Sequence, residues 1–159
     1  MTDRILIVDD EKDTREFMAR ALSGKYEVLT AADAELAMKQ LDADRSIRLL
    51  LSDVRMPGED GITLMKAAKA MNPGLAVILL TAFGSIDQAV AAMKDGADDF
   101  ITKPVDLDQL ELRIEKALKA HKLESEVKQL KAQLDELLRF ISILSDDQAL
   151  SSTIISLFS

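Results

Sequence analysis

The chain has no cysteine and no tryptophan, and its 159 residues include a single histidine, His121. Without cysteine it can form no disulfide, no thiol nucleophile and no cysteine-ligated zinc site. The histidine lies in a long helical pattern, where we expect a solvated side chain, so a serine, histidine and aspartate triad is implausible. No stretch matches the Gly-x-x-x-x-Gly-Lys loop that holds a nucleotide. These absences exclude four common classes of catalytic or binding site.

The sequence also lacks long apolar runs, and its positively charged residues are fewer than its negatively charged ones. No run approaches the roughly 20 residues of a membrane span, and the opening Met-Thr-Asp-Arg is not the start of a signal peptide. Lys and Arg number 20 against 28 Asp and Glu, and the net charge of −8 disfavours direct nucleic-acid binding. The composition, 48% hydrophobic and 30% charged, is globular. We therefore predict a cytoplasmic protein with one domain of ordinary size and an appendage.

Short apolar runs alternate with longer amphipathic stretches as far as about residue 120. The runs at 5–8, 49–51 and 76–80 are continuous, as expected for strands covered on both faces. Turn and capping patterns, such as the one that begins at Ser85, separate the elements. This alternation predicts an α/β fold with a doubly wound, five-stranded parallel sheet. The predicted strands are 4–9, 26–31, 48–53, 75–81 and 98–102, and the predicted helices are 12–22, 33–42, 62–71, 85–95 and a last one from 106.

Polar residues stand where the predicted strands end. Asp9 and Asp10 follow the first strand, Asp53 ends the third, Thr81 ends the fourth and Lys103 follows the fifth. The carboxyl ends of parallel strands meet at one edge of a sheet, so we expect these side chains in one crevice. Carboxylates about 5 Å apart repel by roughly 3 kcal/mol per pair at an effective dielectric of about 20. Such a site must bind a cation or a proton.

The residue types in this crevice indicate its chemistry. Oxygen ligands without histidine or cysteine favour a hard ion, and Mg²⁺ uses one or two carboxylates together with a phosphate. Lys103 supplies a charge for a phosphoryl oxygen, and Thr81 supplies a hydroxyl donor. A carboxylate nucleophile that attacks phosphorus is the chemistry that remains. Asp9 and Asp10 also suit a simpler role, as caps of the helix that starts near Lys12.

The strand-end residues belong to four longer stretches: Ile5-Leu-Ile-Val-Asp9-Asp10, Ser52-Asp53-Val-Arg-Met56-Pro57-Gly58, Thr81-Ala-Phe-Gly84-Ser85 and Asp99-Phe100-Ile-Thr-Lys103-Pro104. In this order they resemble the receiver domain of bacterial two-component response regulators, which has a CheY-like, flavodoxin-like fold. The resemblance covers about residues 3–120 and is nearest to the NtrC-type branch. Members of that branch usually carry an AAA+ ATPase module and a DNA-binding helix-turn-helix further on, and neither pattern occurs in these 159 residues.

The resemblance implies a role for each site residue. Asp53 is implied to be the phosphoacceptor, attacking the phosphoryl group of a phosphohistidine on a sensor histidine kinase. Asp10, Asp53 and the main-chain carbonyl of Arg55 are implied to bind Mg²⁺, with Asp9 helping through water. Lys103 is implied to pair with the phosphoryl group. Such a domain is not an enzyme in the ordinary sense, since it catalyses only its own phosphotransfer and a slow autodephosphorylation with Mg²⁺.

The resemblance also implies a conformational switch. Thr81 is expected to swing towards a phosphoryl oxygen while Phe100 rotates inward behind it, which couples the site to the face of the fourth helix, fifth strand and fifth helix. A simpler interpretation is that Phe100 is a core residue. Likewise, Thr81 could be an ordinary β-branched strand residue. The family further suggests a cis peptide bond between Lys103 and Pro104, and a role for Arg55 and Phe83 in the lifetime of the phosphoryl group.

Beyond about residue 120 the pattern changes to heptads. Apolar residues alternate spacings of four and three, and Glu126 and Lys131 have the spacing that pairs parallel chains. We predict a receiver over 1–120, a coiled-coil linker over 121–145 that continues the last receiver helix, and an unassigned tail over 146–159. The linker is expected to form a homodimer; the alternative is a helix folded back on its own domain. The predicted seam consists of Leu123, Val127, Leu130, Leu134, Leu137, Ile141 and Leu144.

Three functions compete on this evidence. The first is a phosphorylation-controlled switch that acts on dimerisation or output through the linker, in transcription regulation. The second is an aspartate-dependent phosphohydrolase, but such enzymes usually show two aspartates two apart after the first strand, whereas Asp9 and Asp10 are adjacent. The third is a stand-alone or scaffold receiver that acts by protein–protein interaction without DNA-related output. We favour the switch, because all five site residues are present.

Overall fold

Five strands and five helices alternate along the chain in the computed structural model, which describes residues 2–82, 86–145 and 155–158. Each element lies within one residue of its predicted bounds. The strands are β1 (Arg4–Val8), β2 (Glu27–Ala31), β3 (Ile47–Asp53), β4 (Ala76–Thr81) and β5 (Asp99–Thr102). The helices are α1 (Lys12–Leu22), α2 (Ala34–Ala43), α3 (Gly61–Met71), α4 (Ile86–Lys94) and α5 (Leu107–Leu144).

The strands form one parallel sheet in the order β2-β1-β3-β4-β5. Chain order reverses between β1 and β3, and the crevice at the carboxyl ends of those two strands is where open α/β sheets bind ligands. The predicted α/β class and the five-stranded parallel sheet are confirmed.

Helices cover both faces of the sheet, which explains the continuous apolar runs. Alternate residues of a strand face opposite sides, so Leu6 and Val8 pack with α2, α3 and α4. Ile5 and Ile7 pack on the other side with α1 and the first turns of α5. Every residue of β4 is buried. The two apolar layers hold the strand ends, and therefore the crevice, in fixed positions.

Short polar side chains set the helix boundaries. Asp33 caps α2 by accepting from the Leu36 N–H at 2.8 Å, and Asp60 caps α3 by accepting from the Thr63 N–H at 2.8 Å. Each bond satisfies a main-chain donor that the first helical turn leaves unpaired. The predicted cap at Ser85 lies outside the described residues, as does Phe83.

The chain divides into two compact units, Met1–His121 and Lys122–Ser159. In the first unit α5 buries Leu110, Ile114 and Ala117 against the sheet. In the second unit α5 continues without a break to Leu144. Along the described stretches of both units, no helix combines the length and apolar character that a membrane crossing requires. Most of the predicted tail, 146–154 and 159, lies outside the described residues.

The prediction that His121 is solvated is wrong. Its Nε2 lies 2.7 Å from Oδ1 of Asp98, and its side chain is 15% exposed. Asp98 precedes β5, and its Oδ2 accepts from the Val77 N–H at 2.7 Å and faces Lys69 Nζ at 3.4 Å. The last turn of α5 in the first unit is thereby tied to the start of β5. A heptad pattern carries no information about such a contact.

Candidate functional site

The crevice collects side chains from the carboxyl ends of β1, β3 and β5. Asp9 and Asp10 follow β1, Asp53 is the last residue of β3, and Lys103 follows β5. One carboxylate oxygen from each of the three acids lies within 4.8 Å of the others. Asp9 is fully buried, Asp53 is nearly so and Asp10 is exposed. The structure therefore brings together four of the five predicted strand-end residues through their charged groups.

Asp9 does not cap α1. The N-cap position belongs to Glu11, which makes no side-chain capping bond in the described structure. Instead, Oδ1 of Asp9 accepts from the Glu11 N–H at 2.9 Å, and the Asp9 N–H donates to the Ala31 carbonyl at 3.2 Å. These bonds shape the loop between β1 and α1 so that a buried carboxylate is held beside Asp53.

Lys103 lies between two of the acids. Its Nζ is 2.9 Å from Oδ2 of Asp53 and 3.1 Å from Oδ2 of Asp9. The peptide bond between Lys103 and Pro104 is cis, and the Lys103 N–H donates to the Thr81 carbonyl at 2.8 Å. Charge-assisted bonds of this kind are stronger than neutral ones, so the ammonium is a principal element of the site.

Burial and neighbouring charges shift the pKa of Asp53 and of Lys103. Burial raises the pKa of the Asp53 carboxyl and repulsion from Asp9 adds to the effect, while the hydrogen bond and charge of Lys103 oppose it. For Lys103, burial alone lowers the pKa, but bonds to Asp53 and Asp9 outweigh it, so its pKa is raised. One ammonium thus faces three acids. When all three are ionised, the site keeps an excess of negative charge that favours a divalent cation.

The main chain around Asp53 is tightly packed. Arg55 donates its N–H to Oδ1 of Asp53 at 3.3 Å, and Ser52 donates its hydroxyl to the Asp53 carbonyl at 3.0 Å. A β-carbon at Gly61, the first residue of α3, would collide with that same carbonyl. The start of α3 therefore approaches the end of β3 as closely as only glycine allows.

Thr81 and Phe100 have different positions relative to the acids. Thr81 is fully buried at the end of β4, and its hydroxyl donates to the Ala82 carbonyl at 3.1 Å. Phe100, in β5, is half-buried and packs against the core layer that contains Leu79. Neither side chain has a described bond to the three acids. In this structure the Thr81 hydroxyl is thus engaged with its own loop.

Sequence reasoning missed three residues that support the site. Gly61 and Ser52 contact the Asp53 main chain, and Arg15 donates from Nη1 to the Asp9 carbonyl at 2.7 Å. The sequence offers little signal for Gly61 and Arg15, because each of their contacts joins separate parts of the chain. The Ser52 contact is local to β3, but no recognisable turn or cap pattern marks it. Asp60, the N-cap of α3, is the one local signal that could have placed the start of that helix at Gly61.

The donor set suits a hard metal ion. Asp9, Asp10 and Asp53 offer oxygen atoms alone, and two of them are anchored in a rigid loop or strand. Oxygen-only sites of this kind select Mg²⁺ or a related cation over softer metals. These three acids can therefore hold a divalent ion beside Lys103.

A sequence profile of the response regulator receiver domain matches residues 5–115 of this chain. The chain belongs to that family. The receiver assignment made from the four motifs is confirmed. A crystal structure of a response regulator receiver domain protein from Clostridium thermocellum has a TM-score of 0.74 and 32% sequence identity. The alignment covers 76% of this chain and 98% of that one, so the receiver fold accounts for the whole sheet.

Its relatives indicate the branch of the family. Transcriptional regulatory protein ZraR of Escherichia coli O157:H7 is 41% identical over 115 residues, which cover 72% of this chain and 26% of that protein. DNA-binding transcriptional regulator NtrC of Escherichia coli (strain K12) is 37% identical over 114 residues, covering 72% of this chain and 24% of that protein. The receiver is thus of the NtrC type, as its motifs predicted. The chain spans about a quarter of the length of these relatives.

Proposed function

We propose that this receiver accepts a phosphoryl group on Asp53 from the phosphohistidine of a sensor histidine kinase. The observation that carries the proposal is the setting of the Asp53 carboxylate, with the Lys103 ammonium 2.9 Å from one oxygen and two further acids alongside. In the transfer a carboxylate oxygen forms a bond to phosphorus. The bond from phosphorus to the imidazole nitrogen breaks, and its electron pair leaves with the imidazole. The product is an acyl phosphate.

The cation in this proposal is Mg²⁺. Asp10, Asp53 and the main-chain carbonyl of Arg55 would hold it, with Asp9 acting through a water. Support comes from the oxygen-only donor set and from the excess negative charge of the three acids. When bound, the ion supplies positive charge that phosphoryl oxygens require in phosphoryl transfer. Lys103 then pairs with the phosphoryl group rather than with the two carboxylates.

The receiver is proposed to catalyse only its own chemistry. It takes up the phosphoryl group and loses it slowly by autodephosphorylation with Mg²⁺, so it is not a turnover enzyme. The phosphohydrolase alternative is disfavoured, because the proposed nucleophile stands at the end of β3 rather than in an aspartate pair after β1.

Phosphorylation is proposed to act through Thr81 and Phe100. The Thr81 hydroxyl would leave the Ala82 carbonyl, which it bonds at 3.1 Å, for a phosphoryl oxygen. Phe100 would rotate into the space behind Thr81 and alter the face of α4, β5 and α5. That face carries exposed Val90, Met93 and Leu112. The phosphoryl group favours one of two pre-existing states by its differential contacts.

The residues after the receiver are proposed to pair two copies of the chain. We divide the chain into a receiver over 1–120, a linker helix over 121–145 and a tail over 146–159, and the homodimer would use the linker seam and the face of α4, β5 and α5. Seam residues Leu123, Val127, Leu130, Leu137 and Leu144 are exposed in the second unit. Val127 and Ile141 are β-branched at one seam position, where Leu134 is the exception, and the other position is leucine throughout. Such a seam favours two parallel strands. The Glu126 and Lys131 spacing also suits parallel chains.

The output is proposed to be transcription regulation in the cytoplasm. Support comes from the relatives, whose names describe transcriptional regulators. NtrC is named as DNA-binding, but this chain spans 24% of it. With a net charge of −8, the present residues are proposed to pass a signal on rather than to contact nucleic acid themselves.

The test is incubation with acetyl phosphate and Mg²⁺, followed by intact-mass measurement and sedimentation. We expect one added phosphoryl group on the wild type that depends on Mg²⁺ and is lost in Asp53→Asn. Asp3→Asn, which removes an exposed carboxylate at the other end of the sheet, should still accept the group. An unmodified wild type with an unchanged dimer in all three proteins would contradict the switch and leave the scaffold function.

A further inference from the structure

Arg15 links the second turn of α1 to the end of β1. Its Nη1 donates to the main-chain carbonyl of Asp9 at 2.7 Å, across six residues of chain. The guanidinium is half-buried, and the carbonyl belongs to a fully buried residue. A charged donor to a carbonyl makes a strong and directional bond. Arg15 itself is not one of the five residues that the proposed phosphoryl chemistry uses.

Asp9 is held at each of its polar groups. Its N–H donates to Ala31, its Oδ1 accepts from Glu11, its Oδ2 accepts from Lys103 and its carbonyl accepts from Arg15. Asp10 has no comparable set of described bonds, and its side chain is exposed. The bonds of Asp9 and Glu11 thus hold the main chain from which the Asp10 carboxylate extends.

The start of α1 has few described side-chain bonds to the strand end. Glu11, at the N-cap of α1, makes no side-chain capping bond, although its carboxylate accepts from the Thr14 hydroxyl at 3.0 Å. Arg15 is the described residue of α1 that reaches back to the strand end. Loss of its bond would leave a buried carbonyl without this donor and release the loop between β1 and α1.

We propose that Arg15 is a positioning residue for the cation site, which it supports by fixing the main chain that carries Asp9 and Asp10. This inference rests on the proposed function, since it concerns the same cation. The charge of Arg15 has the opposite effect, because a guanidinium repels a dication. The positioning effect acts through a direct bond of 2.7 Å to the main chain of the site, and we expect it to exceed the repulsion.

The test compares Mg²⁺ affinity, measured by amide chemical-shift titration, in wild type, Arg15→Lys, Arg15→Gln and Arg20→Gln. Arg20 is an exposed arginine of the same helix and serves as the charge control. We expect Arg15→Lys and Arg15→Gln to bind Mg²⁺ about tenfold more weakly, the low end of the range for residues that orient metal ligands. Arg20→Gln should bind as the wild type does.

A second readout uses the metal-free protein. If Arg15 fixes the loop, the Glu11 amide, which donates to Asp9, should exchange with solvent faster in both Arg15 variants. Amides of β3 and β4 should be unaffected, which separates local release from general destabilisation.

Three results would overturn the inference. One is an Mg²⁺ affinity of Arg15→Lys equal to that of the wild type, together with equal or tighter Mg²⁺ binding by Arg15→Gln. The charge of residue 15 alone would then explain the data. Another is unchanged Glu11 exchange in both Arg15 variants. The third is a wild type that binds no Mg²⁺, and this result alone also removes the cation from the proposed function.

Discussion

At the scale of single residues, the site places three carboxylates around one ammonium group. Lys103 bonds Asp53 and Asp9 at 2.9 and 3.1 Å, yet burial still raises the pKa of Asp53. The metal-free fold therefore carries an electrostatic penalty, which the proposed cation would relieve. If the proposed function holds, stability and function are opposed at these residues, as is common where charges are gathered for binding.

Asp53→Asn should stabilise the metal-free protein at pH 7. The pKa of Asp53 is raised above its ordinary value of 3.8, so its contribution to stability is present at low pH and is lost as pH rises through the folded pKa. Removing the charge should add on the order of 1 kcal/mol to the free energy of unfolding. Urea denaturation from pH 4 to pH 7 should show the gain growing with pH. A gain that is constant with pH would contradict this explanation.

Lys103→Met should destabilise the metal-free protein. It leaves Asp9 and Asp53 without their shared partner, at a cost of roughly 1–3 kcal/mol, below the range for a fully buried pair because the Lys103 side chain is 20% exposed. Added Mg²⁺ should recover most of this loss by replacing the missing charge. Urea denaturation at increasing Mg²⁺ concentration measures this recovery. A loss of unfolding free energy that is equal at every Mg²⁺ concentration would show that Mg²⁺ does not replace the charge of Lys103.

At the scale of elements, the close approach of α3 to β3 packs the main chain of Asp53. Gly61→Ala places a β-carbon against the Asp53 carbonyl, so either α3 or the end of β3 must move. We expect a loss of roughly 1–3 kcal/mol in the free energy of unfolding, typical of overpacking. Gly24→Ala is the matched control, because no atom lies near its added β-carbon, and it should change stability by less than about 0.5 kcal/mol. Equal stabilities for the two variants would contradict the close approach.

The contact between His121 and Asp98 fixes the last receiver turn of α5. His121→Ala removes a bond of 2.7 Å, which should cost about 1 kcal/mol and release the helix end. Hydrogen exchange should become faster for the amides near residue 121, while those of β4 keep their protection. Lys119→Ala, an exposed position on the same helix, provides the control. Unchanged exchange in His121→Ala would show that the bond does not anchor the helix.

Much of this element-scale description was predictable from the sequence, and the exceptions share a cause. Apolar runs and short capping residues located every strand and helix, since both signals are local. The strand-end rule predicted that Asp9, Asp53 and Lys103 would meet. It could not predict that the Thr81 hydroxyl bonds its own loop or that His121 bonds Asp98. Those contacts depend on how elements pack, which a single sequence does not encode in any short pattern.

At the scale of the whole molecule, we propose that the helix after the receiver pairs two copies of the chain. Leu130→Glu places a charge in the predicted seam and should shift sedimentation from dimer to monomer, with no change in the receiver sheet. Gln129→Glu adds the same charge at the neighbouring exposed position and should leave the dimer intact. A wild type that sediments as a monomer, or a dimer that survives Leu130→Glu, would contradict the linker seam.

The central claim is that Asp53 is the phosphoacceptor, and the most direct measurement locates the acyl phosphate itself. After reaction with acetyl phosphate and Mg²⁺, borohydride reduces an aspartyl phosphate to homoserine, which peptide mass spectrometry can place in the sequence. The account predicts homoserine at position 53 alone, and none when Mg²⁺ is withheld. Homoserine at Asp9 or Asp10, or none at any position, would contradict it.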